Sequence, residues 1–247
     1  EQLADRFMDL RAIENTMGRY VNSLLLKQED TILHDYWSRF ENDICYGTNE
    51  GWYTGRRAVR EYYEAMHRNT EIRSKLVQKL FPDFLGDKTD EEIHGVGALI
   101  VDAIAPPVIE LSGYGTTAKG VWLFVNATHE ILECGPYSIL ETGYYAVDFT
   151  KEGTEWKIWH MQRIVETRCP QEVNWADDWK LPSPLAEFES LKGLSLPAPN
   201  RLGLAREIYR KGRKPQEKVR LPEPYYDWDD TFSYGPDMPE YKRAGMD

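Results

Sequence analysis

The chain has 247 residues, 41% of them hydrophobic, and a formal net charge of -11. That is enough apolar material for one sizeable domain, or for a domain plus an arm. The acidic balance argues against a general nucleic-acid or anionic-membrane binder, and no run approaches the eighteen apolar residues of a membrane span. Cys45, Cys134 and Cys169 are far apart, odd in number and without CxxC spacing, which argues against a zinc knuckle or a disulfide scaffold and fits a reducing compartment. The first residues lack the basic and apolar blocks of a signal peptide, so a cytoplasmic protein is expected.

In chain order, Leu3, Phe7, Leu10, Ile13, Met17, Tyr20, Val21 and Leu24 recur at three or four, predicting a helix over 3–28. Ile32, Leu33, Tyr36, Trp37 and Phe40 stripe a second, shorter helix over 29–40. "ENDICYG" leaves it for a turn or short strand. "TGRRAVREYYEAMHRNT" reads as a helix over 54–70 entered from Thr54 and Gly55, with 71–80 continuing it after a break, before "FPDFLGDKTDEE" ends the pattern. From about 93 the period changes. "IHGVGALIVDA" and "PPVIELSGYGTTAKGVWLFVNATHEI" read as strands with turns between them. "SILETGYYAVDFTKEGTEWKIWHMQRIV" reads as a hairpin turning at Lys151 to Gly153. Helices followed by antiparallel strands give an α+β order, and with neither GxGxxG nor GxxxxGK[ST] there is nothing to support a Rossmann or P-loop reading.

The texture changes at the end of the last strand. Ten of the fourteen prolines lie from Pro170 onward, so the sequence divides into a domain over 1–169 and an arm over 170–247, packed on the domain or on a neighbouring subunit. A short helix over 183–192 interrupts the arm. Trp175, Trp179, Tyr225, Tyr226, Trp228, Phe232 and Tyr234 argue against a purely disordered tail. The Lys and Arg cluster between Arg206 and Arg220 reads as a solvated face rather than a polyanion site.

Five histidines are present and none shows HExxH spacing; no metal and no cofactor is expected. Strand alternation puts Trp156, Ile158, His160, Gln162 and Ile164 on one face and Lys157, Trp159, Met161 and Arg163 on the other. Which face lines a concavity stays open. His94 opens a strand behind the acidic "TDEEI", where an imidazole could serve as a base near neutral pH. Asp43 is flanked by apolar residues and needs a partner or a capping role. Tyr20 and Tyr36 fall on helical apolar faces, where a phenol beside a histidine can act as an acid or a clamp. His34 and His67 read as exposed helical residues, Cys45 as a buried thiol, and no GxSxG elbow is present.

The order of "IENTMGRYVNSLLLKQEDTILHDYWSRFENDICY", "YTGRRAVREYYEAM", "VIELSGYGTTAKGVWLFV" and "GYYAVDFTKEGTEWKIWHM" resembles the NTF2-like superfamily, and more narrowly its SnoaL-like proteins, over roughly residues 5–168. The resemblance implies an NTF2-like cone: N-terminal helices packed on a strongly curved, mainly antiparallel sheet around a deep pocket, here with an extended C-terminal arm. It also implies kinship with the cofactor-free dehydratases and isomerases that use an Asp–His pair with tyrosines. On that pattern Asp43 matches the Asp after the second helix and His94 the His that opens the sheet. Tyr20 matches the first-helix tyrosine, and Arg163 or His160 the late polar position. "GVGALIVDAIAPP" is longer than the usual link. The long arm is similar to that of SnoaL-like lyases acting on lignin-derived diaryl compounds.

The expectation is therefore a lyase for a small aromatic hydroxylated compound, eliminating γ-formaldehyde from a diarylpropane or phenylcoumaran to give a stilbene. A dehydratase or isomerase of a polycyclic or steroid-like substrate is the alternative, and a noncatalytic small-ligand binder the competing class. In the enzyme readings His94, oriented by Asp43, takes a proton. Tyr20 or Tyr36 assists the leaving group, while Arg163 or His160 holds a substrate oxygen. Trp159, Trp122 and Tyr144 complete an aromatic substrate pocket. Pairing through the open sheet face makes a homodimer or homotrimer the expected assembly, with no nucleic-acid or membrane partner.

Overall fold

The computed structural model describes residues 2–133, 135–171, 193–203 and 219–236. The apolar spacing of the first half forms α1 (Gln2–Leu25), α2 (Glu29–Tyr36) and α3 (Arg56–Leu80), followed by the single turns α4 (Pro82–Leu85) and α5 (Asp90–Ile93). Two sequence expectations shift here. α2 stops at Tyr36 because Trp37 turns extended (φ -89°, ψ 149°) and bridges Ile158 in parallel, which takes its indole out of solvent completely. α3 does not break near Thr70. The Thr70 hydroxyl shares its proton between the Met66 carbonyl and Glu29 Oε1, and the Ser74 hydroxyl donates to the Thr70 carbonyl, so the polar run is satisfied without a break in the helix.

Seven strands form one sheet: β1 (Cys45–Gly47), β2 (Trp52–Thr54), β3 (Ala98–Ile104), β4 (Val108–Leu111), β5 (Thr117–Leu132), β6 (Gly135–Glu152) and β7 (Glu155–Pro170). The order is β2-β1-β7-β6-β5-β3, with β4 also on β5; only β1 and β7 run parallel. The strand expected in "IHGVGALIVDA" is β3, paired antiparallel with β5. The β6–β7 hairpin turns through Gly153 and Thr154, just past the predicted turn, with Gly153 at φ 64°.

Long strands bend where the ladder slips. The β6–β7 register shifts at Thr142/Gly143 and at Asp148/Phe149. At the first slip a Cβ on Gly143 would collide with the Ile164 carbonyl and the Phe124 ring, so only glycine lets β6 pass this closely. At the second, Trp159 is the unpaired residue of β7, and the alternation expected along this strand breaks there. Trp156 and Ile158 pack in the main core with the helices, whereas His160 and Ile164 face the opposite side of the sheet.

The concave face, backed by α1, α2 and α3, carries Trp122, Phe124, Tyr145, Val147, Phe149 and Met161. The other face carries Val121, Ala146 and Ile164, covered by Val219, Phe232 and Tyr234 of the arm. The described arm segments thus pack on their own domain. Residues 193–203 reach the mouth of the cone, where the Tyr53 hydroxyl donates to the Pro197 carbonyl (2.8 Å) and Trp52 bridges Arg201. The helix expected over 183–192, Trp175 and Trp179, and nearly all of the basic 206–220 stretch lie outside the described residues. No helix among the described residues is long and apolar enough to cross a membrane.

Candidate active site

The cone encloses a cavity of about 660 Å³, within the range of small-molecule sites. Its wall is phenolic. Tyr20 and Tyr63 share a hydroxyl–hydroxyl bond of 3.1 Å, and Tyr46 and Tyr53 pack on Tyr62 at ring-centroid distances of 4.9 and 4.7 Å. Burial raises the pKa of Tyr20, Tyr46 and Tyr63 well above the ordinary phenol value, with neighbouring phenols adding to the effect. These hydroxyls therefore stay protonated and can act as donors.

A charged cluster from the central strands forms the polar side of the cavity. Asp102 of β3 accepts from Asn126 Nδ2 (2.5 Å) and from the Tyr145 hydroxyl, and Arg163 Nη2 lies 3.5 Å from its Oδ1. Arg163 also donates from Nε to the Tyr145 hydroxyl (3.2 Å) and from Nη2 to Glu141 (2.9 Å), while its guanidinium carbon lies 4.4 Å from the Phe124 ring centroid. Arg168 closes the far side with a 2.5 Å bond to Glu141. Burial pushes the Glu141 carboxyl up, but Arg163 and Arg168 more than offset this and hold it below the ordinary range. Burial opposes the Arg163 charge, yet Tyr145, Glu141 and Asp102 raise its pKa well above normal. Tyr145 does not itself line the cavity; it stands behind Asp102 and Arg163 and fixes both.

The sequence candidates divide between the faces. Tyr20 and Arg163 line the cavity. Tyr36 packs edge-on against Tyr20, but its hydroxyl is taken by Ser23 (2.8 Å). Trp122 is core, 1% exposed, and does not line the cavity. Tyr144 lies on the opposite face of the sheet, packed on the cluster that the arm covers. The expected Asp43–His94 pair does not form. The parallel register Cys45↔His160 carries Asp43 to the outer end of β7, where it accepts from Trp159 Nε1 (2.7 Å) and lies 3.6 Å from His160 Nε2. His94 ends α5, bonds to the Lys27 carbonyl (3.1 Å) and packs on the His67 ring. His67, expected as an exposed helical residue, is thereby half-buried.

His160 and Trp159 belong to a second buried cluster behind the sheet. Asp148 accepts from Lys119 Nζ (2.7 Å), His160 Nδ1 (2.9 Å), the Ser233 hydroxyl (2.9 Å) and the Tyr234 N–H (2.7 Å). Lys119 is fully buried, and its ammonium stands 4.2 Å from the Trp228 ring centroid and 4.8 Å from that of Phe232. Burial disfavours charge on His160, but Asp148 and Asp43 more than compensate and raise its pKa. This cluster ties the arm to the sheet.

Sequence reading missed Asp102, Asn126, Glu141, Tyr63 and Tyr145. The available signal was a carboxylate inside the apolar run "LIVDAI", on the face that alternation shares with Ile100 and Ile104.

Fold and site together define a helix-capped α+β cone with a polar, phenol-lined interior, the architecture implied by the NTF2-like resemblance. Solved structures share the fold. A hexachlorocyclohexane dehydrochlorinase (LinA) type 2 matches with a TM-score of 0.50 at 13% identity, over 72% of this chain and 99% of that one. Another LinA structure matches with a TM-score of 0.50 at 12% identity over the same shares. An NTF2-like protein with a cystatin-like fold from Novosphingobium aromaticivorans gives 0.42 at 14% identity, over 66% of this chain and 87% of that one. No protein-family model and no curated protein matches the sequence.

Proposed function

We propose that the chain is a lyase that works by acid–base chemistry on a small aromatic hydroxylated compound inside the cone, with γ-formaldehyde elimination from a diarylpropane or phenylcoumaran as the specific reaction. The observation that carries this reading is the Asp102–Tyr145–Arg163 cluster facing a wall of protonated phenols across one cavity. A carboxylate offers about four acceptor positions; Asn126, Tyr145 and Arg163 occupy three of those of Asp102. The fourth can take a substrate proton. This moves the base from the His94–Asp43 pair of the sequence expectation to Asp102, and keeps Tyr20 and Arg163 in their expected roles.

For a diarylpropane-1,3-diol the step balances without an external oxidant. Asp102 accepts the proton of the terminal hydroxyl. The bond between that CH2O unit and the adjacent carbon breaks, releasing formaldehyde, and its electron pair becomes the new C=C bond. The benzylic hydroxide departs and leaves with a proton as water; in a phenylcoumaran the leaving oxygen is the ring phenoxide. Tyr20, bonded to Tyr63, donates to that oxygen, and Arg163 stabilises developing negative charge. The phenolic wall stacks the aryl rings.

The test is incubation of the purified chain with diarylpropane diols, phenylcoumarans and other β-hydroxy aromatics, following conjugated absorbance and formaldehyde together. Both signals, lost in Asp102→Asn, are expected. Absorbance without formaldehyde selects dehydration or isomerisation. Ligand binding with no turnover selects a noncatalytic cone.

A further inference from the structure

At the helical rim of the cone, α2, α3 and the end of α5 bring Glu29, His67 and His94 together, with one ligand atom of each within 4.8 Å of the others. Glu29 is 2% exposed. Its Oε1 accepts from the Thr70 hydroxyl (3.1 Å), but Oε2 is buried with no hydrogen-bond partner among the described residues. His67 Nδ1 is also buried without one, 3.8 Å from that oxygen. A buried carboxylate oxygen facing an unengaged imidazole nitrogen is costly unless something cationic joins them; the ion-pair partner of Glu29 among the described residues is His67, and the Lys27 ammonium acts on it only from beyond ion-pair distance. The 3.8 Å gap, too long for a hydrogen bond, is a few tenths of an ångström beyond the roughly 3.4 Å between two ligands placed about 2.1 Å from a tetrahedral ion.

The surroundings match the outer shell of a metal site. His94 Nε2 faces the Lys27 carbonyl at 3.1 Å. A carbonyl only accepts, so this nitrogen carries the proton and Nδ1 carries the lone pair. His67 Nε2 points toward the Glu71 carboxylate, 3.8 Å away and beyond hydrogen-bond distance, so Nδ1 is the nitrogen it presents to Glu29. A surface cleft lined by Lys27, Glu71, Ser74 and Asp90 reaches both rings and gives an ion a path from solvent.

We infer that Glu29, His67 and His94 form a binding site for one divalent first-row transition metal ion, zinc being the ion its ligands fit best. Two imidazoles and one carboxylate suit that class rather than magnesium or calcium, which take oxygen ligands, and three protein ligands leave a position for water. The ion ties α2, α3 and α5 together at the rim. The site differs from the expectation of no metal, which rested on the lack of HExxH spacing. Here the three ligands come from three separate elements, so no local spacing marks them. The inference does not depend on the reaction proposed for Asp102.

The experiment uses the full chain stripped with chelator and returned to chelator-free buffer at neutral pH. Zinc is titrated by calorimetry, cobalt(II) by visible absorption, and thermal unfolding is followed with and without zinc. Expected are one ion per chain, cobalt d–d bands, a raised melting temperature, and loss of affinity by roughly 100-fold or more in His67→Gln and in Glu29→Gln. His34→Ala, at an exposed histidine outside the cluster, should bind as the parent does. Far-UV circular dichroism shows whether each variant is folded. The inference is overturned if the unaltered chain binds neither ion more tightly than about 10⁻⁴ M, or if folded His67→Gln and Glu29→Gln bind as the parent does. Neither readout uses turnover, so failure here leaves the lyase reading standing, and the converse holds.

Discussion

Two buried carboxylates lie on opposite faces of the same sheet, and the difference between them separates chemistry from scaffolding. Asp148 receives four donors, from Lys119, His160, Ser233 and the Tyr234 backbone, and four is about all a carboxylate can accept. Asp102 receives three and borders a cavity. The saturated carboxylate holds the arm down; the one with a position left over can handle a substrate. Both carry guanidinium or ammonium counter-charges, so charge alone does not distinguish them. Access does.

The largest expected effect is on the cone side. Asp102→Asn keeps the shape and an acceptor for Tyr145 but removes the base. Turnover should fall by about 10²–10⁴-fold, the usual worth of a general base, while the unfolding midpoint in denaturant moves little. A variant that retains turnover within a few-fold of the parent would remove Asp102 from the chemistry.

Asp148→Asn should do the reverse. It leaves Lys119 buried among aromatic rings without its counter-charge, a change that costs about 3–5 kcal/mol, read by equilibrium denaturation. Replacing both partners, Lys119→Met with Asp148→Leu, should recover much of that loss, because removing a buried pair is far less harmful than breaking it. If the double replacement is no better than the single, the cluster is held by its backbone and Ser233 contacts instead.

Trp228→Ala should cost less, about 1–2 kcal/mol, through the lost ring face over Lys119. It should also make 219–236 more susceptible to protease before it alters the cone.

The smallest effect is one of pH. His160 has its pKa raised in the folded state, so its contribution is complete below its unfolded pKa and is lost as pH rises through the folded value. Denaturation midpoints should therefore fall on the alkaline side of about pH 6.5, and His160→Gln should flatten that slope. Asp43, held down to about 2 chiefly by His160, works in the opposite sense: its share is present above its ordinary pKa and is lost as pH falls toward 2. Its side chain is 60% exposed, so solvent screening keeps that share small.

Local pattern revealed the helices and the long hairpin, because a stripe at 3.6 or an alternation at 2 is written in neighbouring residues. Trp37 shows where pattern stops. It continues the stripe of α2, yet leaves the helix because a bridge to Ile158, far along the chain, buries it. Trp159 shows the same for faces, since one bulged residue opposite Asp148/Phe149 moves His160 to the other side of the sheet from Trp156. The site was only partly legible for the same reason. Arg163 and Tyr20 could be chosen from their own strand and helix. Asp102 needed the β3–β5 register, and Asp43 was drawn away from His94 by the pairing of β1 with β7.

The contacts of the arm have a further consequence. Tyr53 with Pro197 at the mouth, and Lys119 with Trp228 behind the sheet, join parts of one polypeptide. Their formation is a first-order event, governed by an effective local concentration rather than by how many molecules share the solution. Dilution that would strip a separate covering subunit from such a sheet leaves these contacts in place, so the cover over the mouth and the backing of the sheet persist at any expression level.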